Sequence, residues 1–141
     1  MHPRVKRAPL ALVGERPDKH ELEHGRYFAG PTGELLFERI LPQAGVRPSG
    51  LSFHNAVLCT MDRPLAPADW KQALACCAPR LAADLKASRA KALVAAGGKA
   101  LQVLCGRAQI TAWAGAPLQG WSFRHRVRTT KKGLRLVDLI A

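Results

Sequence analysis

Acidic side chains are scarce in this chain: 10 Asp and Glu stand against 22 Lys and Arg, a formal charge of +12. Such a surface repels acidic ligands poorly and attracts polyanions well, and nucleic acid is the commonest partner of that kind. No apolar run approaches the ~18 residues that a membrane span needs, so no membrane partner is expected. The opening residues carry no signal-peptide pattern. The four cysteines, Cys59, Cys76, Cys77 and Cys105, do not have the spacing of a small disulfide scaffold, and a reduced, cytoplasmic setting is the expectation. Neither GxGxxG nor GxxxxGK occurs in the first loop, which argues against an α/β nucleotide-binding domain. There is no internal repeat and no low-complexity linker.

What remains is ample for one folded unit. The 141 residues are 48% apolar, enough to bury a core as a single domain over 1–141. Ala8–Val13 is a short apolar run closed by Gly14, which reads as a buried strand. Residues 14–33 read as a long, polar, glycine-punctuated loop, and loops of that length are usually functional. Gly33–Gln43 carries Leu35, Leu36, Ile40 and Leu41 at helical spacing, with Thr32 placed to cap its start. Leu51–Leu58 reads as a second strand. A helix follows from Ala66–Asp69 with Trp70, Leu74, Leu81 and Leu85 on it, kinked or restarted at Pro79. Lys91–Ala96 is a third strand and Lys99–Leu104 a short helix.

Strand and helix thus alternate to about residue 105, which predicts a three-layer α/β/α fold around a short, mostly parallel sheet. Ligands collect at the carboxyl ends of such strands, here the Gly14 loop, the Asn55–Cys59 segment and the Gly97 turn. Beyond Gly106 the pattern weakens. Residues 107–141 form a basic segment in which Arg124, Arg126, Arg128, Lys131, Lys132 and Arg135 occur with no acid between 124 and 135.

One stretch poses a sharper question. HGRYFAGPTGELL, residues 24–36, sets Tyr27–Phe28 among glycines just before a helix. A flat ring on so glycine-rich a loop either plugs the domain or offers a face on which something planar lies.

Gly14-Glu-Arg-Pro-Asp-Lys-His-Glu21 followed by Gly25-Arg-Tyr-Phe-Ala-Gly-Pro-Thr-Gly-Glu-Leu-Leu36 resembles the opening motifs of the uracil-DNA glycosylase superfamily. The similar branch is the thermostable iron–sulfur type with its phage relatives, which reads GEAPG, GRPFVG and SGxLL at the same intervals. Phe53-His-Asn-Ala-Val-Leu-Cys59 resembles that branch's TNVVKC, Cys77-Ala-Pro-Arg-Leu81 its CRPYL, and Val94–Gly106 its VALGRVAAQALLG. Five pieces in order over roughly residues 8–115 make the resemblance specific.

The resemblance implies a DNA-repair enzyme that flips uracil out of DNA and hydrolyses its N-glycosidic bond. It puts Phe28 under the base as a stacking platform, with Gly14 beside it, and Asn55 on the base's edge. Glu15 falls next to the scissile bond, where it would orient water, and Glu21 where a side chain crowds the uracil C5 and rejects a thymine methyl. Arg16, Lys19 and Arg26, with Arg124, Arg126, Arg128, Lys131 and Lys132, would meet phosphates. Two features depart from the family pattern. A four-thiolate [4Fe-4S] cluster finds only Cys59 and Cys77 at matching positions, so no cofactor is expected unless further ligands exist. The family's closing His-Pro-Ser/Ala is missing as well, and His125 in Trp121-Ser-Phe-Arg-His-Arg-Val127 is the nearest substitute. The chain therefore reads as a shortened or divergent member. The alternative is a catalytically silent nucleic-acid-binding module of the same fold, such as an accessory to a replication polymerase.

Overall fold

The computed structural model describes residues 5–59, 64–107 and 109–115, together with the backbone of the strand 135–140. Four strands form its sheet: β1 (Leu10–Gly14), β2 (Leu51–Asn55), β3 (Ala92–Ala96) and β4 (Arg135–Ile140), in the order β2-β1-β3-β4 and all parallel. The order changes direction between β1 and β3, and the carboxyl ends of strands at such a switch leave a crevice for a ligand.

Alternation along the strands sends side chains into two layers. Ala11, Val13, Leu93 and Ala95 pack against α4 (Pro67–Ser88) and α5 (Gly98–Cys105) through Leu74, Leu81, Leu85, Leu101 and Leu104. Leu12, Leu51 and Val94 face the other way, onto Leu36 and Leu41. The result is the three-layer α/β/α sandwich that the strand–helix alternation predicts. No helix among the described residues is long and apolar enough to cross a membrane.

Three local readings change. The loop after β1 holds a helix, α1 (Lys19–His24), because Asp18 and Glu21 form a capping box that satisfies two orphan N–H groups at its start. The next helix begins earlier than Gly33: α2 (Pro31–Leu35) has Gly30 at its N-cap and Pro31 in its first turn, not Thr32 as cap. It runs through one π-helical turn, Leu36–Ile40, into α3 (Leu41–Gln43). Pro42 explains that turn, since a proline ring collides with the carbonyl four residues back and widening the turn by one residue relieves the clash. Finally, α4 is continuous over 22 residues with the exposed Pro79 inside it, neither interrupted nor restarted.

Ser52 and His54 point to the α4 side, where His54 is only 2% exposed and its Nε2 lies 3.0 Å from Ser52 Oγ. Burial pulls its pKa down to about 4. An imidazole that is neutral when folded but takes a proton when unfolded contributes stability above pH 6.5, and this is lost as pH falls towards 4. The shift corresponds to a loss on the order of 3 kcal/mol at 1.36 kcal/mol per unit. Urea denaturation at pH 7 and pH 4.5 should show the parent losing more stability than His54→Asn by about that amount.

Candidate active site

The carboxyl ends of β1, β2 and β3 meet the α2 layer around a hollow of about 420 Å³. Leu12, Leu36, Ile40 and Ala96 give it an apolar floor, while Gly14, Glu15, Arg16, Glu21, Phe28 and Asn55 bring chemistry to it. The volume lies within the range of small-molecule sites.

The ring of Phe28 and the amide of Asn55 converge over one glycine. A β-carbon added to Gly14 would stand 2.5 Å from Asn55 Oδ1 and 3.1 Å from Phe28 Cζ, so both groups approach the same point and no larger residue fits between them. The registry of the sheet accounts for half of this, since Gly14 pairs directly with Asn55. The loop accounts for the rest. Phe28 takes a left-handed backbone conformation, φ 54°, which a bulky side chain adopts only at a cost of ~1–2 kcal/mol. Its N–H donates to Glu21 Oε1 at 2.7 Å, and its ring packs on Phe53 with centroids 5.8 Å apart. Half-buried, Phe28 is neither a core plug nor a free surface ring.

Glu21 holds this loop together. Only 6% exposed, it accepts the Asp18 N–H at 2.9 Å through Oε2 and the Phe28 N–H through Oε1. Both carboxylate oxygens are thus engaged with backbone, and the side chain reaches the hollow as a brace for the aromatic platform. Glu15 lies half-buried across the hollow, where its Oε1 accepts the Lys99 N–H at 2.9 Å at the start of α5. Asn55 is 1% exposed, and its Nδ2 is buried with no hydrogen-bond partner. Among the described residues it is the unmatched buried polar group in the wall of the hollow.

Arg16 lines the hollow, while Lys19 and Arg26 are exposed on and just after α1. Arg124, His125, Arg126, Arg128, Lys131 and Lys132 lie outside the described residues. Among the described residues no histidine lines the hollow. His54 is turned into the opposite layer, and His24 Nδ1 is engaged with the His20 carbonyl at 2.8 Å.

Among the described residues two cysteines face each other. Cys59 and Cys77 bring their sulfurs within 3.9 Å, as two neighbouring ligands would. No group of three or more His, Cys, Asp or Glu able to hold a metal occurs among the described residues, which include all four cysteines. Burial pushes the Cys105 thiol up to about 11, as for an inert packing group.

Two comparisons meet this geometry. The family model of the uracil DNA glycosylase superfamily matches residues 3–136. A type-4 uracil-DNA glycosylase of Pyrobaculum aerophilum is 33% identical over 101 residues, which is 70% of this chain and 50% of that protein, so the chain spans about half of its relative's length. The motif loops that resembled the family are the ones that close around the hollow, and the chain belongs to the uracil-DNA glycosylase superfamily.

Proposed function

We propose that the chain hydrolyses the N-glycosidic bond of uracil flipped out of DNA. One observation carries the reading: the amide nitrogen of Asn55 is buried without a partner in a hollow that an aromatic ring flanks. A buried donor left unmade costs ~1–3 kcal/mol, and a ligand that supplies its acceptor recovers that cost. Uracil offers O4 to Nδ2 and N3–H to Oδ1 together. Cytosine presents an amino group and a bare N3 at those positions, so both contacts would be mismatched.

In this reading Phe28 carries the base by stacking, worth ~1–3 kcal/mol and indifferent to which base it is. Selectivity then rests on Asn55. Glu15, anchored by the α5 N-terminus, directs its second oxygen at a water and at the sugar as positive charge develops there. Arg16 at the hollow and Lys19 and Arg26 on the adjoining surface meet flanking phosphates, in keeping with the +12 charge. The reading assigns no iron–sulfur cluster; among the described residues Cys59 and Cys77 face each other as two of its four ligands would. The second reading is the silent DNA-binding module, which keeps the basic surface of a chain with +12 charge and releases no uracil.

Incubation with single- and double-stranded oligonucleotides carrying one uracil, followed by alkali, decides between them. The expected result is strand breakage at uracil and none at cytosine in the same position, since cytosine mismatches both Asn55 contacts. Salt-sensitive binding with no breakage on either strand would overturn the enzyme in favour of the silent module.

A further inference from the structure

Arg80 stands on α4, on the far side of the sheet from the hollow, at the place where the motif CRPYL has tyrosine. Its Nη2 donates to the carbonyl oxygen of Asn55 at 2.6 Å, and its Nη1 to Asp84 Oδ2, one helical turn on, at 2.7 Å. Nε is buried without a partner, so these two bonds are what orient the guanidinium.

The contact falls on one particular peptide unit. In a trans peptide the N–H and C=O point in opposite directions. The N–H of the 55–56 unit donates to the Gly14 carbonyl at 2.8 Å, inward to β1. Its C=O therefore points outward from β2, which among the described residues pairs with β1 alone and forms a sheet edge. Arg80 meets it there. The peptide plane that roots the Asn55 side chain is thus held at both ends, by the sheet on one side and by a charged donor on the other. Charge-assisted bonds of this kind are about twice as strong as neutral ones, and Asp84 keeps the guanidinium from swinging away.

We propose that Arg80 is a positioning residue that fixes the direction of the Asn55 amide, a role that rests on the glycosylase reading for its effect on catalysis. A reading group that drifts by about 1 Å can lose on the order of 10²-fold in rate. Arg80→Ala should lower kcat/KM for uracil release by ~10–100-fold at temperatures well below its unfolding midpoint. Arg80→Lys should recover part, since it keeps one charged donor but cannot serve Asn55 and Asp84 together.

A merely structural role is separated by a double-mutant cycle. If Arg80 acts through Asn55, Arg80→Ala costs less than about twofold in an Asn55→Ala background; the same loss in both backgrounds overturns the inference. A second readout does not depend on activity. The Asn55 side-chain amide pair, assigned by its disappearance in Asn55→Ala, should shift and broaden in the ¹H–¹⁵N spectrum of Arg80→Ala. An unmoved pair overturns the inference even in an active enzyme. A parent chain that releases no uracil overturns the glycosylase reading and leaves the amide spectrum to decide on Arg80.

Discussion

Asn55→Ala is expected to lower kcat/KM for uracil release by ~10²–10⁴-fold, the summed effect of two lost contacts at ~1–3 kcal/mol each. The side chain is 1% exposed and projects from the last residue of β2, so truncation removes the amide without touching the strand's pairing with β1. Both of its polar atoms serve the same ligand edge in the proposed complex, and no other described side chain with an amide lines the hollow. The loss should appear mainly in the step that commits the flipped base. Affinity for an undamaged strand of the same length should change less than about twofold, since phosphate contacts dominate it. Alkali cleavage of a uracil strand measures the first quantity and a salt titration of binding the second. Cleavage within about threefold of the parent would show that the base is read elsewhere, by a margin far below one lost buried contact.

How much of this was legible beforehand follows from the physics of each element. Two central strands announce themselves because parallel strands buried on both faces need unbroken apolar runs, and Leu10–Val13 and Leu93–Ala95 are such runs, whereas β2, LSFHN, alternates. Phe28 and Asn55 were legible through motif order, and the sheet registry then explains why they meet at Gly14. α1 was hidden because its sequence, KHELEH, has no apolar stripe; the signal available was Asp18 three residues before Glu21. The same pair also does more than motif reading showed. The motif position placed Glu21 beside the base, and Glu21 does line the hollow, while both its oxygens also hold backbone N–H groups, one of them seven residues on. Pro79 does not restart α4, because proline's cost falls on the carbonyl four residues back, and on the exposed side of α4 water can satisfy it. Arg80 had no signal at all, since nothing in a helix sequence says that one arginine reaches across to a strand end.

The second large effect is expected at Gly33, where one methyl group should damage both stability and activity. A β-carbon there would overlap the carbonyl oxygen of Phe28 and press on its carbonyl carbon at 2.5 Å. These are backbone atoms and cannot rotate away. Phe28 is moreover fixed by the Glu21 carboxylate on its N–H and by Phe53 on its ring, so the strain spreads into the braced loop instead of dissipating. Overpacking of this severity costs ~3 kcal/mol, the upper end of what inserted core atoms cost. For a chain of this size that is a fall in Tm on the order of 10 °C. Activity should suffer beyond the stability loss, because any relief moves Phe28 away from Asn55 and forfeits stacking worth ~1–3 kcal/mol. Gly50→Ala is the control: nothing lies within 4 Å of the added carbon and its backbone is not left-handed, so Tm and uracil release should both stay near the parent's. A Gly33→Ala protein matching that control in melting and in cleavage would mean that the loop is free to move and that the convergence of ring and amide is not held in place.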